Sequence, residues 1–104
     1  MKREAKHAGY YEAILQLRPD KEEIVNFVLE ELKRRPDVFI SKQIDYKNGV
    51  DLYISSNEFT KSLGYKLRRK FKTGKLVISR ALYSKDTMTS KLLYRLTVLF
   101  RLNE

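Results

Sequence analysis

The sequence predicts an α+β fold: a two-layer sandwich in βαββαββ order, with a mostly antiparallel sheet and two helices on one face. Three observations predict it. Five segments alternate apolar and polar residues with the period of a half-buried strand, two others place apolar residues at helical spacing, and most strands are joined as hairpins. At 104 residues the chain has the size of one domain, and a hydrophobic content of 42% builds a core despite 34% charged residues.

Residues 1–8 read as a polar lead and 9–104 as the single domain. Residues 10–18 form the first strand, with Tyr11, Ala13, Leu15 and Leu17 alternating against Glu12, Gln16 and Arg18 until Pro19 breaks it. Asp20 as N-cap, with Glu23 three residues on, makes a capping-box pattern. Ile24, Phe27, Val28 and Leu32 follow at helical spacing, widened by Val25 and Leu29. Lys33, Arg34 and Arg35 complement the helix dipole in the last turn, and Pro36 ends the helix.

Residues 38–46 and 50–55 alternate on either side of Lys47-Asn48-Gly49, and Asn-Gly favours the positive φ of a tight hairpin turn. Ser55 with Glu58, or Ser56 as cap, opens a second helix running to about Phe71. Phe59, Leu63, Leu67 and Phe71 recur every four residues as a narrow apolar stripe. Gly64 costs this helix about 1 kcal/mol against Ala, which marks close packing on the sheet. Thr73-Gly74 stops the helix. Residues 76–83 and 92–102 are the last two strands, with 84–91 as a longer loop. On the final strand Leu92, Tyr94, Leu96, Val98, Phe100 and Leu102 share one face. Alternation leaves the order of strands in the sheet open.

Charge divides the chain in two. Residues 1–56 carry ten Lys/Arg and ten Asp/Glu, whereas residues 57–104 carry twelve against three, so the second half supplies the whole formal charge of +9. Between Lys61 and Arg80 stand eight basic residues and no acidic one. Unpaired like charges at helical spacing repel, and a one-signed patch draws a polyanion. Lys and Arg are also good helix formers, and a charge run is commonly a solvated face. The absence of acidic partners favours nucleic-acid contact by Lys61, Lys66, Arg68, Arg69, Lys70, Lys72 and Lys75, of which 61, 68, 72 and 75 fall on one side of the helix. Tyr53, Tyr83, Arg95 and Arg101 are assigned to the open sheet face, with Arg95 and Arg101 as secondary contacts.

Other classes find little support. His7 is the lone histidine, placed in the polar lead. Asp45 and Asp51 flank a turn, and Glu22, Glu23, Glu30 and Glu31 read as a solvated helix face. No phosphate loop, nucleophile motif or metal-ligand cluster is present, so the chain is expected to be non-catalytic and without a cofactor. The octapeptide of an RNA-recognition motif is absent at residues 50–56. Cysteine is absent, no apolar stretch follows the charged N-terminus, and no apolar run approaches the roughly 20 residues of a membrane helix. A cytoplasmic domain with no membrane contact is expected.

Three stretches in order carry a resemblance: Tyr10 to Arg18; Gly49-Val50-Asp51-Leu52-Tyr53-Ile54-Ser55-Ser56 leading into the basic helix; and Leu82-Tyr83-Ser84-Lys85-Asp86, Thr89-Ser90-Lys91, then Leu93 to Leu102. Together they resemble the middle region of the large-ribosomal-subunit export adaptor family (nonsense-mediated decay family, member three), most closely its archaeal branch. The resemblance implies binding to the intersubunit side of the large ribosomal subunit, in subunit maturation or quality control. It also implies a fold similar to a small eukaryotic ribosomal protein of that subunit, with the same βαββαββ order. Family members carry Cys-x-x-Cys zinc modules before this region, and eukaryotic ones a further β-rich domain and export signals after it. The chain is therefore expected to be one domain of a longer protein or a minimal relative, without zinc or export signals of its own. The expected partners are the large subunit, ribosomal RNA and adjacent domains. The rival expectation is a protein-interaction module that pairs through an exposed edge at the long apolar fifth strand, with a basic helix that only solubilises.

Overall fold

A computed structural model describes residues 9–86 and 91–102. The polar lead with His7, residues 87–90 of the expected last loop, and the side chains of residues 83–93, Tyr83 among them, lie outside the described residues. The elements are β1 (Ala13–Arg18), α1 (Glu22–Lys33), β2 (Ile40–Tyr46), β3 (Gly49–Ile54), α2 (Asn57–Lys70), β4 (Gly74–Asp86) and β5 (Lys91–Leu102). This is the expected order. The strands form one sheet, β2-β3-β1-β5-β4, in which β1 and β5 run parallel and the other neighbours antiparallel.

Register builds the core directly. Ala13, Leu15 and Leu17 stand opposite Ile54, Leu52 and Val50 on one side and Leu96, Val98 and Phe100 on the other. Three apolar rows therefore cross the middle of the sheet. Ile24 and Val28 of α1 and Phe59, Leu63 and Leu67 of α2 close over them. Full burial of each such side chain contributes about 1.5–3 kcal/mol. Both helices thus cover one sheet face and leave the other open, as the alternation predicts. Gly64 also behaves as expected: a Cβ there would meet Val98 Cγ1 at 2.8 Å and Leu76 Cδ1 at 3.0 Å.

Several local expectations are corrected. The fifth strand is not an edge; it lies between β1 and β4, which explains its apolar character. The edges are β2 and β4. β1 begins three residues later than alternation predicts, because Glu12 departs from the pleat. Its amide donates to the Ile54 carbonyl at 2.9 Å, and its carboxylate accepts the Asn57 amide of α2 at 2.8 Å. Tyr11 is thereby thrown to the open face, where its ring meets Tyr53 edge-on at 4.8 Å.

The capping box at Asp20 does not form. Lys21 is the cap, with no side-chain cap bond, and its carbonyl accepts the amides of Ile24 and Val25, both at 3.0 Å. Glu22 and Glu23 in the first turn still complement the dipole. Ser56 is the cap of α2, its hydroxyl accepting the Phe59 amide at 3.1 Å. The β2–β3 turn is Lys47-Asn48 alone, since Tyr46 pairs with Gly49. No described glycine has positive φ; Gly49 is required instead by a backbone contact, its Cβ position lying 2.2 Å from the Leu17 carbonyl oxygen. β4 runs on past a register shift at Leu82/Ser84 to pair Asp86 with Lys91, so much of the stretch expected as loop is strand.

Candidate nucleic-acid interface

Four cations of the first half, Arg18, Lys33, Arg34 and Arg35, pair with carboxylates of that half. Lys33 pairs with Glu30 at 3.3 Å, Arg34 with Glu31 at 3.8 Å, and Arg35 takes Asp37 with two bonds of 3.0 Å. That fork holds the Asp37 carboxyl below the usual carboxylate range. Arg18 reaches the buried Asp51 at 2.6 Å and donates to the carbonyls of Leu17 and Val50. Asp45 instead accepts from Gln43.

The basic residues expected to contact nucleic acid divide into three groups. Lys66 and Lys70 face α1. Lys66 Nζ bonds the buried Glu31 carboxylate at 2.9 Å, and Lys70 Nζ stands 5.7 Å from the Phe27 ring and 5.8 Å from that of Phe71. Glu31 is therefore not part of a solvated face. Lys66 draws it into the helix–helix contact.

Lys61, Arg68, Arg69 and Lys72 form the second group, all exposed. Lys61 shares a shallow depression with Tyr65, Ile78 and Arg80, and Tyr65 continues it to Arg68 and Arg69. The Arg68 guanidinium lies 5.6 Å over the Tyr65 ring, and that of Arg80 lies 4.6 Å over Tyr94. Among the described residues, no carboxylate pairs with these five cations. Arg80 and Tyr65 join the surface only because β4 lies beside α2, a neighbourhood that alternation does not reveal.

The third group is on the other side of the sheet. Lys75 belongs to β4 rather than to the helix side assigned to it, because α2 ends at Lys70 and β4 starts at Gly74. It stands opposite Arg101, which stands opposite Arg18. Arg95 lies 4.0 Å over the Tyr11 ring, and Lys42 lies 4.8 Å over Tyr53. Burial pushes the Tyr53 phenol up, with smaller contributions from Asp51, Tyr11 and Tyr46. Among the described residues no three His, Cys, Asp or Glu side chains converge as metal ligands, and no helix is long and apolar enough to cross a membrane.

A two-layer α+β domain with a first half of balanced formal charge and a second half cationic on both layers is the class that fold and surface define. Residues 10–102 match the family described as NMD3, second domain, and the chain belongs to that family. The family is associated with the large ribosomal subunit and with adaptor function in ribosomal-subunit export. No curated protein matches the chain.

Proposed function

We propose that this domain is a non-catalytic, cytoplasmic module that docks on the large ribosomal subunit in its maturation or quality control, by binding the phosphates of ribosomal RNA. The observation that carries this reading is the outer side of α2, where Lys61, Arg68 and Arg69, extended by Lys72 in the turn after the helix and by Arg80 of β4, have no carboxylate partner among the described residues. Cations held on a helix that is itself fixed to the sheet suit recognition of structured RNA through shape and backbone. Lys66 and Lys70 serve the helix–helix contact first and reach RNA only at its margin.

With ~4–6 phosphates engaged, log K falls against log salt with a slope of about −3 to −5. Changing Arg68, Arg69 and Lys70 to Glu is expected to abolish co-sedimentation with large subunits while the circular dichroism spectrum is kept. A slope near zero, or co-sedimentation that survives the triple change, overturns the reading. The second reading, pairing with a protein strand, now belongs to the edge strand β4, where Val77 and Leu82 are exposed. It predicts that the triple variant still binds.

A further inference from the structure

The sheet face turned away from the helices carries its own pattern, independent of the docking proposed for α2. Its rows follow from register. Tyr46, beside the Arg18 guanidinium at 5.2 Å, shares one row with Arg18, Arg101 and Lys75. The next row holds Asp51, Gln16, Leu99 and Val77, and the next Lys42, Tyr53, Ile14 and Thr97. Asp51 is buried and already bonded to Arg18. Arg101 is left between Arg18 and Lys75, and like charges directly opposite one another destabilise a sheet. Among the described residues neither Arg101 nor Lys75 has a carboxylate partner.

Beside this cationic row the face exposes Tyr46 at 49% and Val77 at 53%. A duplex would meet the row with phosphates but would leave the ring and the apolar patch wet. An unpaired strand satisfies both, with phosphates against the row and bases against Tyr46 and Val77. We infer that the open sheet face binds an unpaired stretch of RNA, with its phosphates on Lys75 and Arg101 and its bases on Tyr46 and Val77.

The test is fluorescence anisotropy with a labelled oligouridylate, read beside an RNA hairpin, on the whole chain. Lys75→Glu and Tyr46→Ala should each weaken oligouridylate binding about tenfold or more, and Arg68→Glu with Arg69→Glu should change it by less than about twofold. Lys75→Glu also places a carboxylate opposite Arg101 and should raise the melting temperature, so lost binding cannot be lost folding. The inference is overturned by no oligouridylate binding by the unmodified chain, by binding unchanged in both open-face variants, or by binding abolished by the α2 variant alone. Displacement of the oligouridylate by an acidic peptide at equal strength assigns the face to a protein and overturns it as well. Hairpin binding lost only in the α2 variant separates this outcome from that of the helix proposal.

Discussion

A methyl group added at position 49 would sit 2.2 Å from the Leu17 carbonyl oxygen and 2.7 Å from Arg18 Cδ. The first contact is backbone in the central strand and cannot rotate away. Gly49→Ala should therefore destabilise the domain by about 2–3 kcal/mol, seen as a lower urea midpoint, although no φ is strained there. The Asn-Gly pair locates this hairpin correctly, but the reason for the glycine is the neighbouring strand, which no local rule contains. Tyr53 supplies a pH prediction. Its phenol is raised, so the folded state favours the neutral form. That contribution is fully present below the ordinary tyrosine value of about 10 and is lost as pH rises through the folded-state value. Stability should fall in alkali, and Tyr53→Phe should make the fall shallower in thermal melts across that range.

At the scale of elements, α2 joins two roles on separate sides. Its buried side, Phe59, Leu63 and Leu67, was legible from spacing, and Ser56 as cap from residue type. What spacing does not reveal is which neighbour each remaining side meets. Lys66 and Arg68 look equivalent in the sequence, yet one bonds Glu31 across the helix pair and the other stacks on Tyr65. Lys66→Ala should cost about 1 kcal/mol of stability, Lys66 being half-exposed, and leave hairpin RNA affinity within about twofold. Arg68→Ala should do the reverse. Paired melting and anisotropy measurements read both. α1 shows the converse limit: Asp20 and Glu23 have the right types for a capping box, but the helix starts too late for Asp20 to cap it.

Over the whole molecule, fold class and element order were legible because each face is written locally as a period. Strand order was not, because it depends on pairings between residues far apart in the chain. The long apolar β5 illustrates the loss. Its composition is compatible with an edge seeking a partner, and only the pairing with β1 on one side and β4 on the other removes that possibility. The layers also explain why the basic run from Lys61 to Arg80 is not one surface: the sheet passes through it, sending Lys75 to one side and Arg80 to the other.

The parallel union of β1 with β5 sets a condition on biosynthesis. Val98 and Phe100, both fully buried, belong to the last strand of the fold to be made, and the first strand waits for them as its neighbour. Loss of Phe100 to Ala alone costs about 3–5 kcal/mol, and a chain stopped after residue 90 lacks the whole strand. Such a fragment should show no cooperative melting. Part of the bed on which α2 rests, Val98 included, is therefore missing from any chain that lacks β5. A chain without β5 carries the lysines and arginines of its helix but lacks part of the support that aims them, so RNA affinity and folding should be lost together in such a fragment.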